Sequence, residues 1–225
     1  MNYPLGDELA GPPASLSFRH DPRTTALVVV DVQNDFCDPA GVCAAAGNDV
    51  AAAVAMVPRL EHLLVAARAA KVLVVFVQTT HDDTTDSPAW VSRRSITAAA
   101  TRAADSICRT GSWGAKLYRV SPEPGEPIVV KHRYSAFAGT NLDVVLRSSG
   151  ITSLLLAGVS TDVCVESTLR DGLFHEYNVS LVEDCCASYH AGAHAATVST
   201  VEQYFGEVTS SRHLANAWGP AVPIQ

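Results

Sequence analysis

Short apolar runs alternate with longer, helix-patterned segments along this chain, and that alternation limits its fold more than any other feature. The runs are 26–30 (ALVVV), 72–77 (VLVVFV), 127–130 (PIVV), 153–157 (SLLLA) and 179–182 (VSLV), with a shorter sixth at 206–209 (GEVT). Segments 49–70, 142–148, 163–175 and 191–204 carry helical spacing, the first interrupted by Pro58. Strands almost free of charge, each leading into a helix, must be covered on both faces, which calls for a parallel sheet. Right-handed crossovers then give a three-layer α/β/α domain around a mainly parallel, doubly wound sheet of roughly six strands, Rossmann-like in architecture. In such sheets, sites form at the carboxyl edge, where strands end and helices begin.

The 225 residues suffice for one such domain, expected over 25–225, preceded by a Pro- and Gly-rich arm over 1–24. A formal charge of −7 argues against nucleic-acid and anionic-membrane partners, because phosphate binding needs clustered Lys and Arg. Lys131, His132 and Arg133 form the longest basic run, at the end of an apolar run rather than in a patch. No stretch approaches the roughly 18 apolar residues of a membrane span. No basic and apolar leader opens the chain, so the expectation is a cytoplasmic protein. Its six cysteines then read as reduced thiols rather than a disulfide framework, most of them packing as small hydrophobes.

The carboxyl ends of the runs carry complementary chemistry. The first delivers Asp31, the third Lys131, and the fourth leads through "GVSTDVC" to Cys164. Singly, each has a plain role: a turn cap, a loop lysine, a buried helix residue. Together they make a nucleophilic site. Cys164 falls in the first turn of its helix, where unpaired N–H groups and a nearby cation favour a thiolate over a thiol of pKa about 8.5. Those N–H groups can also hold an oxyanion, and Asp31 can take the thiol proton and return it to a leaving amine. The same segment lacks G-x-G-x-x-G, which weakens a dinucleotide reading, and no cofactor is expected.

The stretches "ALVVVDVQNDFCDPAG", "VVKHRYSAF" and "LLLAGVSTDVCVESTLRDGLFHEYNVSLVEDCCAS" resemble the isochorismatase-like cysteine hydrolases in residue type, order and spacing. "KHRYSAFAGTNLD" and "VCVESTLRDGLFHEY" are most similar to ureidoacrylate amidohydrolases and relatives acting on carbamoyl compounds or other small amides. The resemblance implies a catalytic triad of Cys164, Asp31 and Lys131. It also implies a cis peptide between Val159 and Ser160, and an oxyanion hole from the N–H groups of Ser160 and Cys164. A covalent thioester or carbamoyl-thioenzyme intermediate follows. Nicotinamidase-like members carry a metal site that needs histidines after the first strand. Here "CDPAGVCAAAGNDV" has none, and His81 reads as a loop or surface histidine, so no metal is expected. With Cys164 present, vinyl-ether hydrolysis is disfavoured.

Pocket walls are assigned to Phe36, Gln78, Trp90, Trp113 and Tyr134, which sit near the same edge; ordinary packing is the alternative for the aromatics. Glu166, Arg170 and Asp171 read as structural, and Cys185 and Cys186 as packing. The function that follows is hydrolysis of a non-peptide C–N bond in a small-molecule amide, with a ureidoacrylate-like substrate favoured and a γ-lactam (lactamase) or other small amide as the alternative. A thiol redox sensor and a retired interaction domain are the non-hydrolytic readings. The first lacks a second cysteine near Cys164 in sequence, and the intact triad speaks against the second. A homo-oligomer, dimer or tetramer, is expected.

Overall fold

The computed structural model describes residues 20–93 and 106–219. Most of the expected arm, residues 1–19, lies outside them. Six strands form one all-parallel sheet: β1 (Thr25–Val30), β2 (Leu73–Thr79), β3 (Ile128–Lys131), β4 (Ser153–Val159), β5 (Asn178–Ala187) and β6 (Glu207–Thr209). Their order is β3-β2-β1-β4-β5-β6. The direction of winding therefore reverses between β1 and β4, opening a crevice at their carboxyl ends.

Alternation along each strand divides the core in two. Leu27, Val29, Val74, Phe76, Leu155 and Ala157 face α1 (Ala51–Ala69) and the C-terminal helix Ser211–Ala217. Ala26, Val28, Val30, Leu154 and Leu156 face α2 (Leu142–Ser148), α3 (Glu166–Phe174) and the end of the run starting with α4 (Ala191–Thr200). β1 and β4 are buried along their whole length, as strands at the centre of a doubly covered sheet must be.

Boundaries differ from the sequence expectation where tertiary pairing extends a strand past its apolar run. β2 runs on through Gln78 and Thr79 because β3 pairs with it, Thr79 standing opposite Lys131. β5 continues through the charged Glu183 and Asp184 to pair Cys186 with Gly158 across a register shift. The helix expected from 163 begins earlier, as a wide π-type turn over Thr161–Val165. Its cause is the Ser160 carbonyl, which accepts from both Val163 N (3.1 Å) and Val165 N (3.1 Å). The helix expected over 191–204 also ends in such a turn, Val201–Phe205. Among the described residues, no helix is long and apolar enough to cross a membrane.

Candidate active site

Four adjacent strands deliver the polar centre in spatial order. β3 supplies Lys131, β2 supplies Thr79, β1 leads into Asp31, and β4 leads to Cys164. The chain leaves β1 by a left-handed residue, Asp31 at φ 54, whose N–H donates to Val77 O at 3.0 Å. A non-glycine residue in that region is uncommon and tends to mark functional positions. β4 leaves by a bulge at Gly158 (φ 124), where any Cβ would meet the Val30 carbonyl oxygen at 2.0 Å. The next peptide, Val159–Ser160, is cis.

Lys131 is almost wholly buried and its Nζ organises the centre. It lies 2.7 Å from Asp31 Oδ2 and donates to Thr79 Oγ1 (2.6 Å), Arg133 O (2.9 Å) and Cys164 Sγ (3.5 Å). Thr79 passes its own proton on to Asp31 Oδ1 at 3.0 Å. One carboxylate oxygen is thus occupied by the threonine, while Oδ2 is held by charge and has no aligned hydrogen-bond donor. Gln33 fixes Thr79 from both sides, accepting from its N–H and donating to its carbonyl, each at 2.8 Å. Burial by itself would push the Lys131 ammonium down, but the Asp31 carboxylate first, and its contact with Cys164 second, outweigh it and leave it above its usual value.

The thiol differs from the sequence expectation. Burial pushes Cys164 up to about 12; Lys131 pulls it back, but Asp31 beside it pushes the other way. At neutral pH the resting group is therefore the thiol, with the ion pair next to it. Its main chain is anchored too, since Thr168 Oγ1 donates to Cys164 O at 2.7 Å and accepts from Ala136 N at 3.0 Å.

Lys131, Thr79, Ser160 and Cys164 open onto a cavity of about 430 Å³, within the range for a small molecule. Phe36, Trp90 and Tyr134 line it. Gln78 and Trp113 do not. Successive strand residues point to opposite faces, so with Thr79 in the site Gln78 turns away and donates to Ala115 O at 3.2 Å. Trp113 is 49% exposed, and its loop is held by main-chain contacts such as Asn34 Nδ2 to Trp113 O at 2.9 Å, which leave the indole outside. His81 is neither a surface nor an open-loop residue: it is 7% exposed, lines the cavity, and stands 3.3 Å from Asp86. Its pKa is lowered, by burial first and with help from Arg93 and Lys131 against the pull of Asp86.

Sequence reasoning overlooked Thr79, Arg93, Arg133, Asp162 and Tyr189, all of which face the cavity. Thr79 had a signal, since it sits at the end of a strand. Asp162 comes from the wide turn after β4, and the other three approach through loops. Cys43 shares the cavity with Cys164, a proximity invisible in their spacing. Glu166 is structural, bound by Arg170 (2.5 Å) and Thr197 (2.7 Å), and Cys185 and Cys186 are buried. Among the described residues no group of three or more His, Cys, Asp or Glu could hold a metal ion.

Comparison with known proteins agrees with this architecture. The isochorismatase domain profile matches residues 25–213. The chain belongs to the isochorismatase domain family. Relatives include the ureidoacrylate amidohydrolase RutB of Caulobacter segnis, 34% identical over 215 residues that cover 90% of this chain and 89% of the relative. The ureidoacrylate amidohydrolase RutB of Klebsiella pneumoniae is 36% identical over 224 residues, covering 94% and 93%. Among solved structures, a cysteine hydrolase from Pseudomonas syringae pv. phaseolicola superposes with a TM-score of 0.77 at 28% identity, over 89% of this chain and 95% of that one. The N-carbamoylsarcosine amidase of Thermoplasma acidophilum does so with 0.67 at 28% identity, over 84% and 96%. In this isochorismatase-family chain the buried centre at the β1–β4 crevice is where the fold favours a ligand.

Proposed function

We propose that the protein hydrolyses a non-peptide C–N bond of a small amide or ureido compound through Cys164. The observation that carries this is the single ammonium of Lys131, 2.7 Å from Asp31 and 3.5 Å from Cys164 Sγ, buried beside a ligand-sized cavity. Asp31, whose Oδ2 has no aligned donor, accepts the thiol proton as Sγ attacks the carbonyl carbon. Lys131 stabilises the negative charge that develops on the sulfur as its proton moves to Asp31. The carbonyl oxygen, now an oxyanion, is held by the N–H groups of Ser160 and Cys164 at the cavity wall. The C–N bond then breaks, the leaving nitrogen takes the proton from Asp31, and a thioester or carbamoyl-thioenzyme remains. Water attacks that intermediate and gives its proton to Asp31; the C–S bond then breaks, Asp31 returns the proton to Sγ, and the acid product leaves.

The ureidoacrylate amidohydrolases among the relatives support a ureido substrate. We also propose one hydrolase domain over 25–225 behind an arm of 1–24, acting as a cytoplasmic homo-oligomer. Gel filtration giving a monomer overturns the last point. The chemistry is tested by ammonia release from ureido compounds, primary amides and γ-lactams, with mass spectrometry for an adduct on Cys164. Turnover with a transient adduct is expected; full activity in Cys164→Ala or Asp31→Asn would refute the assignment.

A further inference from the structure

His81 is a buried, titratable side chain of the cavity that the proposed reaction leaves unused. It follows Thr79 by two residues, and the chain stays extended as far as a bridge between His81 and Arg109. Side chains two apart on an extended segment share a face, so the run that aims Thr79 at Lys131 aims His81 into the same space. Its main chain is held on both sides. The His81 N–H donates to Cys108 O and its carbonyl accepts from Thr110 N, each at 3.0 Å, while Thr80 N donates to Lys131 O at 3.1 Å. The imidazole is thus carried by a paired segment tied to the reacting centre, roughly 7 Å along the strand from Thr79.

The two ring nitrogens are not equivalent. Nδ1 is buried and lies 3.3 Å from Asp86 Oδ1, out of line for a full hydrogen bond. A lone pair there would be repelled by the carboxylate and an N–H attracted, so the proton belongs on Nδ1 and the acceptor lone pair on Nε2. Asp86 is shared, its other oxygen being held by Arg109 Nη1. The other charged groups facing the imidazole are Arg93, stacked on the indole of Trp90, and Lys131 and His132 from β3 and its end. The His81 ring itself lies 5.8 Å from that indole. Burial first, with these cations after it, outweighs Asp86, so the imidazole is neutral at pH 7. Lys131, Arg93 and Arg133 bring donors to the cavity, and a neutral Nε2 brings an acceptor. An enclosed acceptor that a ligand covers without donating to it costs free energy, which makes it a device for discrimination.

We propose that His81, with Nδ1–H turned to Asp86 and Nε2 turned to the cavity, accepts an O–H or N–H from the end of the substrate remote from the scissile carbonyl. The residue then selects small amides or ureas that carry a neutral hydrogen-bond donor at that end. The proposal rests on the amidohydrolase reading for its kinetic readout, and the response of the imidazole to a bound compound is read without turnover.

Three ureas test it: 3-hydroxypropylurea donates, 3-methoxypropylurea only accepts through the same oxygen, and butylurea does neither there. At pH 8 the wild-type kcat/KM for ammonia release is expected to favour the hydroxyl compound over both others by roughly 10- to 100-fold, through KM more than kcat. A protonated Nε2 is a donor, so the advantage over the methoxy compound falls to about 2-fold as pH drops through the pKa of His81. In His81→Phe the two compounds differ by no more than about 2-fold at either pH. That substitution leaves Asp86 paired with Arg109, so no buried charge is stranded. Nitrogen-15 NMR on Cys164→Ala, with His81 assigned by comparison with the added His81→Phe change, supplies the second readout. Expected are a protonated Nδ1 and a bare Nε2 at pH 7, with the Nε2 signal moved by 3-hydroxypropylurea and not by butylurea. An Nε2–H tautomer at pH 7, or an Nε2 unmoved by the hydroxyl compound, overturns the acceptor. Equal turnover of the three ureas, or a preference that survives His81→Phe, overturns it as well and leaves the hydrolytic reading standing. A moved Nε2 with no turnover of any urea overturns the hydrolytic reading for ureas and keeps the acceptor.

Discussion

Replacing Thr79 by valine keeps the shape of the side chain and deletes one hydroxyl that serves both charged partners. That hydroxyl accepts from Lys131 Nζ at 2.6 Å and donates to Asp31 Oδ1 at 3.0 Å, with Thr79, Asp31 and Lys131 all buried. Hydrogen bonds to charged groups contribute about 1.5–3 kcal/mol each, and the loss is largest where a buried charge is left without a donor. Lys131 keeps Arg133 O, Cys164 and Asp31 as partners, so most of the loss falls on Asp31 Oδ1. A destabilisation of about 3 kcal/mol follows, which lowers the melting temperature of a chain this size by about 6–12 °C. Because the freed carboxylate oxygen lets Asp31 rotate out of line with the thiol, kcat is expected to fall roughly 10- to 100-fold with KM little changed. Thr79→Ser, which restores the hydroxyl, should recover most of both losses. Differential scanning calorimetry and steady-state kinetics on the three proteins decide the matter. A valine variant melting within a degree of wild type and retaining its kcat would show that Thr79 only fills space.

Two further outcomes can be measured. Gly158→Ala places a Cβ 2.0 Å from the Val30 carbonyl at a φ of 124, which side chains rarely adopt; a loss of about 3 kcal/mol or more in urea unfolding is expected, and an unchanged midpoint would contradict the packing of β4 against β1. Alkaline pH should destabilise the fold steeply. Burial raises the thiols of Cys37, Cys164 and Cys185 from 9.0 to about 12, and those of Cys108 and Cys186 in the same direction. The folded chain therefore keeps protons that the unfolded chain releases above about 9; this stabilisation is complete below that pH and is lost as pH rises towards 12. Between pH 9 and 10 the unfolded thiol goes from half to nine-tenths ionised, so each contributes about 1 kcal/mol and the five together weaken the fold by about 5 kcal/mol. Urea midpoints that stay level from pH 8 to 10 would show the thiols are not buried as described.

The layered fold could be read from the chain because parallel strands covered on both faces leave a pattern that survives without coordinates: apolar runs such as ALVVV, each followed by helical spacing. The positions of Asp31, Lys131 and Cys164 followed from the same logic, since a strand end is a local event and the carboxyl edge collects all of them. What each group does there depended on neighbours that sequence distance conceals. Burial, not the helix terminus, sets the proton on Cys164, and burial is a property of the packed chain. Thr79 became a link between Lys131 and Asp31 only when β2 paired with β3 and β1 on its two sides. Gln78 and Trp113 looked equivalent to Trp90 and Tyr134 as loop or edge residues, and strand alternation and a pinned loop separated them. Arg93 and Arg133 lie 40 residues apart, and meet over one indole because two loops converge at the sheet edge. Periodicity and strand ends are written locally, so the sequence alone determined the architecture and the strand ends that carry Asp31, Lys131 and Cys164. Charge state and pocket walls arise from contacts between distant segments, and only the tertiary structure decided them.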